Sequence, residues 1–272
     1  MLLKIDKEKC KQDGQCAADC PIGIIRFDGP GNYPELIPGG ENLCIQCGHC
    51  VAVCPHGAMD HAEVPLAECP GIDPGLSISS GQAEQFLRSR RSIRQFKAQP
   101  VEQAMLQRLI EVAGFAPTAS NAQLVTWHVI ANKDHLHEIS SQVKDWLDEL
   151  LKGSQTGFPP YFSRFVDAWE AGIDSILRSA PCLVVAMAPP EARNGLVDLT
   201  LALSYLELIA PLYGLGACWA GLLQGAIMSR PELKKTVGIP LDYPSHYPMM
   251  IGYPAVRYHR LIQRKRPRVS WQ

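Results

Sequence analysis

The sequence predicts an α+β protein of two domains, and three observations predict it. Seven of the ten cysteines stand before residue 55, crowded into two short runs. Pro65–Gly81 contains Cys69-Pro-Gly-Ile-Asp-Pro-Gly, turn residues without periodicity, which mark a boundary. Beyond it, helix-period and strand-like segments mix without strict alternation, the pattern of an α+β domain. The expected domains are residues 1–75 and 76–272. A chain of 272 residues is too long for a small cysteine-rich module alone.

The second run, Cys44 to Pro55, reads C-I-Q-C-G-H-C-V-A-V-C-P. Its cysteines are separated by two, two and three residues, and a proline follows the last. This is the bacterial iron–sulfur spacing, in which three thiolates hold one cluster and the fourth holds its neighbour. A zinc knuckle also uses C-x-x-C pairs, but zinc sites usually set their two pairs well apart. Soft thiolates in short loops favour the cluster. The first run, Cys10-K-Q-D-G-Q-Cys16-A-A-D-Cys20-Pro21, has the same frame with Asp13 at the second ligand position. The crossed pattern assigns Cys20, Cys44, Cys47 and Cys50 to one cluster, and Cys10, Cys16 and Cys54 to the other. Asp13 either ligates the fourth iron of this second cluster or faces solvent beside a three-iron cluster. Both runs resemble the bacterial two-cluster ferredoxins, a small fold of two pseudo-symmetric halves, over roughly the first 65 residues. Between them, Ile22–Phe27 reads as a strand and Asp28–Gly40 as turns.

In the second domain, Ser79-Ser80-Gly-Gln82 caps a helix opening at about residue 82. Met105, Leu106, Leu109, Ile110 and Ala113 keep helical spacing up to Gly114. Trp127–Ala131 reads as a strand, and Leu136 to Leu151 as an amphipathic helix stopped by Gly153. Cys182–Ala188 is a short buried strand, and Met249–Gly252 a final one. Leu196–Leu223 is long and apolar, yet it carries Asp198 and Glu207, and Pro211, Gly214 and Gly216 interrupt it. It reads as a helix buried on most faces at 196–213 and a buried strand at 216–223, with no membrane span.

Lys+Arg 26 against Asp+Glu 27 leaves a net charge of −1, which supplies no global attraction for a polyanion, and no nucleic-acid partner is expected. The start of the chain lacks a secretory leader pattern, and ten cysteines then suit a reducing cytoplasm. Cys69, Cys182 and Cys218 lack ligand spacing and read as buried thiols. The eight histidines show no metal spacing; His49 and His56 sit beside the cysteine runs, where solvated neighbours are commoner than tuning groups.

Three segments of the second domain look chemical. Arg90-Arg91-Ser92-Ile93-Arg94 suits an oxyanion, since guanidinium forks pair with phosphate oxygens, although a solvated helix end has the same composition. Ala116-Pro-Thr-Ala-Ser-Asn-Ala-Gln123 is a loop of amides and hydroxyls able to read a heterocycle edge, as many polar turns are. The tail holds Arg257, Arg260, Arg264, Lys265, Arg266 and Arg268, a pattern more often solvated or nucleic-acid-binding. With G-L-G-A-C-W-A-G at 214–221, this order of segments resembles the flavin-dependent nitroreductase family over about residues 82–272.

The resemblance implies an α+β homodimer with two FMN sites built from both protomers. Arg90, Arg91, Ser92 and Arg94 match the first flavin loop: Arg90 and Ser92 for the phosphate, Arg94 for the pyrimidine edge. Pro117, Thr118 and Ala119 match residues that line the partner's site, with Asn121 and Gln123 holding the loop and ring edge. Cys218, Trp219, Ala220 and Gly221 match a strand whose N–H groups approach the reactive ring nitrogen. Arg264 and Arg266 match a closing phosphate clamp. Leu124-Val-Thr-Trp127 departs from the Pro-Trp of many relatives, so the substrate wall differs. Lys152–Glu170, with Phe158, Tyr161, Phe162, Phe165 and Trp169, matches a lid; core or interface packing is the other reading.

The sequence thus predicts a cytoplasmic ferredoxin–nitroreductase fusion. Two iron–sulfur clusters, one all-cysteine four-iron and one with Asp13 or three-iron, pass electrons to FMN and on to a small planar acceptor such as a nitroaromatic or quinone. No catalytic acid or base is assigned, and reduced ferredoxin or another donor supplies the electrons. A relay or redox sensor serving a protein partner is the alternative, as is dehalogenation or ene-type reduction on the same fold. No G-x-G-x-x-G fingerprint opens a strand–helix unit, which leaves NAD(P)H binding open.

Overall fold

The computed structural model describes residues 1–153 and 160–272. The chain divides into two compact units: Met1–Ile78 with Ser120–Ala122, and Ser79–Ala119 with Gln123–Gln272.

The first unit is built from two matching half-repeats. Gly14 and Gly48, at φ 72° and 71°, open the single-turn helices α1 (Gln15–Ala18) and α2 (His49–Ala52), each with a cysteine as its second residue. A Cβ on Gly14 would stand 2.6 Å from the Phe27 ring, and both glycines hold a left-handed conformation that side chains resist. Gln12 and Gln46 repeat the match at φ 56° and 52°. Antiparallel pairs tie each half: β1 (Leu3–Ile5) with β4 (Met59–His61), and β2 (Ile25–Arg26) with β3 (Glu35–Leu36). The core is small, with Leu3, Ile24, Ile25, Val51 and Met59 packed around Cys16 and Cys50. So few apolar residues stabilise a fold poorly, and structural metals commonly supply the remainder in domains of this size. Asn121 Nδ2 donates to the Ile45 and Gln46 carbonyls at 3.1 and 3.0 Å.

The second unit is a four-stranded antiparallel sheet of order β5-β6-β8-β7, formed by β5 (Thr126–Ile130), β6 (Cys182–Ala188), β7 (Gly216–Trp219) and β8 (Ser245–Gly252). Every residue of β6 is buried, because the strand faces a core on each side. Leu183, Val185 and Met187 point to one face, where α5 (Lys133–Lys152) contributes Ile139, Val143 and Leu147. Cys182, Val184, Ala186 and Ala188 point to the other, against α4 (Gln103–Ala113) and α7 (Gly195–Ile209). Ser79 and Gln82 form a capping box on α3 (Ser80–Ser89). Phe162, Phe165 and Trp169, on and before α6 (Ser163–Glu170), pack on the α5 side of the sheet. Phe158 and Pro159 of the expected lid lie outside the described residues.

The strand expected over 216–223 is corrected here: β7 ends at Trp219, and Gly221–Ser229 is a helix, α8, followed by α9 (Leu233–Val237). A continuous apolar run carries no period, so strand and helix read alike in it. The ladder thins there: Trp219 pairs with Met249, and Pro248 opposite Ala220 accepts its N–H but has no N–H to return the bond. Helix α7 continues as a 3-10 turn, Ala210–Tyr213. Together they are long and apolar enough to cross a membrane by length and composition. Leu199, Leu203 and Leu206 are fully buried in the sheet's core, while Leu196, Val197, Tyr205 and Leu212 are exposed.

Candidate cofactor sites

Two cavities of the first unit gather the cysteines of both runs. Cys20, Cys44, Cys47 and Cys50 line one, walled by Leu3, Ile24 and Ile25. Cys10, Asp13, Cys16 and Cys54 line the other, with Ile5, Ala58 and Met59. Each cavity thus draws three donors from one run and one from the other. Among the described residues no three His, Cys, Asp or Glu side chains close on a single metal ion. Donors of a polynuclear cluster stand wider, since each binds a different iron. Four thiols in one apolar cavity, and three thiols with a carboxylate in the other, are donor sets that fit iron–sulfur clusters.

Burial pushes the Cys50 thiol up to about 11, with the neighbouring Cys47 adding to the rise. Burial also raises Cys16, and the Cys54 and Cys10 charges add to it. A cluster that takes these thiolates must therefore displace their protons. Hydrogen bonds also reach the sulfurs. Gln46 N–H donates to Cys44 Sγ at 3.4 Å, Ala58 N–H to Cys54 Sγ at 3.3 Å, and His61 Nε2 lies 3.4 Å from Cys44 Sγ. Asp13 accepts from Gln15 N and Nε2, both at 3.2 Å, and its Oδ2 is 3.6 Å from His56 Nε2. His49 pairs with Asp19 at 3.1 Å on the surface.

In the second unit the arginine segment is sewn to the edge of the sheet. Ile93 N–H donates to the Ala217 carbonyl at 2.9 Å, and Lys97 N–H to the Tyr253 carbonyl at 2.8 Å. Gly216 makes room for this, because a Cβ there would overlap the Ile93 side chain. Arg90 Nη1 then reaches Glu207 Oε1 at 2.8 Å, and Trp219 Nε1 donates to Glu207 Oε2 at 3.0 Å. Glu207 is 7% exposed, so both of its oxygens are satisfied by these two donors. The Arg91 guanidinium lies 5.5 Å from the Tyr258 ring centre. Arg90, Arg91, Arg257 and Tyr258 line a cavity of about 590 Å³, with Glu207 and Leu212. Ser92 is half-buried and Arg94 exposed.

The remaining expected residues are placed as follows. Thr118 Oγ1 accepts from Gln123 N at 3.0 Å, and Ala119 N donates to the buried Asp198 at 3.0 Å. Pro117 is exposed at the start of that loop. Cys218 is buried on β7, and burial raises its thiol against the opposing charges of Arg94 and Arg178. The Trp219 ring meets Tyr247 edge-on, with centres 5.0 Å apart. Ala220 N–H is taken by the Pro248 carbonyl at 3.0 Å, and Gly221 begins α8. Arg264 and Arg266 lie in the exposed coil that ends the chain, apart from regular structure.

Four residues to which sequence reasoning gave no site role meet the expected ones: His61 beside Cys44, Asp198 at Ala119, Glu207 at Arg90 and Trp219, and Arg178 near Cys218. Two charges inside an apolar helix, Asp198 and Glu207, were a usable signal, since buried carboxylates need donors. Arg178 sits at φ 60° in a turn held by Asp174, which accepts from Ile176, Leu177 and Ser179 N–H. Burial and then the Arg94 charge lower its pKa.

Two cavities lined with cluster donors, and an α+β unit with an arginine-lined cavity, suit an electron-transfer oxidoreductase. The nitroreductase family model matches residues 87–253, and the 4Fe-4S dicluster domain model matches residues 8–59. The chain belongs to the nitroreductase family and carries a ferredoxin-type 4Fe-4S dicluster domain ahead of the family domain. Among curated proteins, the electron transport protein HydN of Escherichia coli (strain K12) is 34% identical over 77 residues, 28% of this chain and 40% of HydN. A probable pyruvate-flavodoxin oxidoreductase of the same strain is 35% identical over 63 residues, 22% of this chain and 5% of that protein. The chain thus spans less than half the length of either relative. A nitroreductase with bound FMN from Bacteroides fragilis NCTC 9343 superposes with TM-score 0.56 at 17% identity, covering 70% of this chain and 98% of that one. Another with bound FMN, from Desulfitobacterium hafniense DCB-2, gives TM-score 0.56 at 22% identity, covering 71% and 100%. At these identities the likeness establishes the fold.

Proposed function

We propose that this chain is a cytoplasmic homodimer in which residues 1–75 hold two clusters and residues 76–272 bind FMN, and that electrons pass from the clusters to FMN and on to a small planar acceptor such as a nitroaromatic or quinone. The observation that carries the reading is the pair of crossed donor sets in a chain of the nitroreductase family. Bound FMN supplies exchange between single-electron and two-electron chemistry. The chain's residues do the positioning. Arg90, Arg91 and Ser92 hold the phosphate with Arg264 and Arg266, and Arg94 sets a positive charge at the pyrimidine edge. Thr118, Ala119 and Gln123 shape the loop that Asp198 pins, with Pro117 and Asn121 completing it. Cys218, Trp219, Ala220 and Gly221 form the wall beside the ring. The exposed apolar residues Leu196, Val197, Tyr205 and Leu212, on α7 and the turn after it, support the dimer, because large apolar side chains left uncovered are costly in water.

Anaerobic purification with iron, sulfide and flavin counts tests this directly. The expected content is roughly seven or eight irons and one FMN per chain. Dithionite-reduced protein then transfers electrons to a nitroaromatic or a quinone. Protein that keeps its irons but takes up no FMN removes the reading. A second reading, a relay that reduces a protein partner, is favoured by the likeness to HydN. Fast transfer to a ferredoxin without turnover of small acceptors selects it.

A further inference from the structure

His61 is 2% exposed at the end of β4, and all of its polar capacity is committed. Its Nδ1 accepts two backbone hydrogen bonds, from Glu63 N–H at 3.0 Å and Val64 N–H at 3.2 Å. A nitrogen that accepts holds no proton, so the neutral ring carries its proton on Nε2. That N–H has one partner, Cys44 Sγ, at 3.4 Å. Cys44 also accepts from Gln46 N–H at 3.4 Å. The turn around Glu63 and Val64 therefore fixes both the tautomer and the aim of the ring.

We infer that His61 is a potential-setting residue: its Nε2–H, donated to Cys44 Sγ, raises the reduction potential of the cluster on Cys20, Cys44, Cys47 and Cys50. This rests on the cluster reading proposed above. An added electron increases the negative charge on the ligand sulfurs, and a donor aimed at one of them stabilises the reduced state more than the oxidised one. The step is a one-electron couple in which the imidazole keeps its proton throughout, so no atom moves.

The half-repeats show that this donor is particular to one cluster. Cys44 corresponds to Cys10 and Met59 to Ile25, which places Phe27 at the position of His61. A phenyl ring has no N–H to give. Among the described residues, Ala58 N–H donates to Cys54 and no side chain donates to the other cluster's sulfurs. The same half-repeat replaces Cys47 by Asp13. Two matching half-repeats thus give their clusters different surroundings, and His61 lowers the energy of an electron on the all-cysteine one.

The test is anaerobic potentiometry of the full-length protein, followed by electron paramagnetic resonance, on wild type, His61→Leu and His61→Gln. Iron and sulfide counts are made first. In His61→Leu one couple is expected to fall, its electron affinity dropping roughly tenfold, about 59 mV for a one-electron couple, while the other stays. In His61→Gln, whose amide nitrogen occupies nearly the place of Nε2, most of that shift is restored. Full iron content with both couples unmoved in His61→Leu overturns the inference while leaving the cluster reading intact. Absence of a cluster on these four cysteines in wild type defeats the cluster reading instead. Should His61→Leu fail to load iron, wild type labelled with 15N-histidine decides. A 15N coupling and an exchangeable-proton coupling on the reduced cluster support the hydrogen bond, and their absence overturns it.

Discussion

Replacing Arg90 by methionine removes a charge and keeps most of the side chain's apolar length. The cost follows from what it leaves behind. Glu207 is 7% exposed, loses the 2.8 Å contact and keeps only the Trp219 N–H, so a carboxylate remains buried with one donor. Breaking a buried pair costs about 3–5 kcal/mol. The Arg90 side chain is 28% exposed, so water reaches one side of the pair and a cost below that range, about 2–3 kcal/mol, is the better expectation. In a domain of this size 1 kcal/mol moves Tm by roughly 2–4 °C, so Arg90→Met should melt about 5–10 °C early. The sharper test is the double variant. Glu207→Gln removes the orphaned charge, so Arg90→Met with Glu207→Gln should be more stable than Arg90→Met alone, with a coupling of about 1–3 kcal/mol. Near-ultraviolet circular dichroism under anaerobic heating, with iron content matched across variants, reports the transition. Equal melting of wild type, Arg90→Met and the double variant would refute the pair as a structural element.

Ser92→Ala should weaken FMN binding by about 1 kcal/mol, the worth of one hydrogen bond, as measured by equilibrium dialysis, without loss of iron. Burial, and then the charge of Lys234, lower His246 to about 4 from 6.5. The unfolded chain binds a proton there between pH 6.5 and 4 and the folded chain does not, so stability should fall as pH falls through that window by about 1.4 kcal/mol per unit. His246→Gln should flatten this slope in urea titrations at several pH values. Asp13→Cys should convert its site to an iron-retaining four-iron cluster. A three-iron resonance in air-oxidised wild type that disappears in the variant is the expected result, and the same signal in both would exclude Asp13 as the deciding ligand. Light scattering of the flavin-loaded protein should give a dimer, with an interface of roughly 2,000 Å² or more, and a flavin-loaded monomer would remove that expectation.

What was legible in the sequence was whatever follows from spacing. The cysteine frame, the Ser79–Gln82 cap, the α4 and α5 periodicities and the all-apolar β6 rest on local rules, and each has its counterpart in the structure. The apolar run after Gly214 was not legible, because its strand-to-helix change falls where the ladder meets Pro248, on a strand distant in sequence. His61 was invisible for the same reason. Its role depends on the β4–β1 pairing and on a turn that occupies Nδ1, and a lone histidine after a cysteine run announces neither. Glu207 and Asp198 were seen only as charges that interrupt an apolar stretch. Their meaning lay in the donors that meet them from Arg90, Trp219 and Ala119.

Those donors change how the arginine segment works. A cluster of guanidinium groups suggests a phosphate clamp, but Arg90 already shares its charge with Glu207. A dianion arriving there meets a guanidinium whose field is partly cancelled and whose position is fixed. Arg90 thus contributes geometry more than net charge, since a pre-oriented fork loses little freedom on binding. Uncompensated positive charge must come from elsewhere. Arg91 is held against Tyr258, and burial, then the nearby Arg94 charge, lowers the affinity of Arg178 for its proton. Two like charges kept near a buried thiol are unfavourable until an anion joins them. On the proposed FMN reading, the unit would thus offer a paired arginine that orients and two like charges that attract, to a flavin that carries negative charge on its phosphate and, when reduced, on its ring.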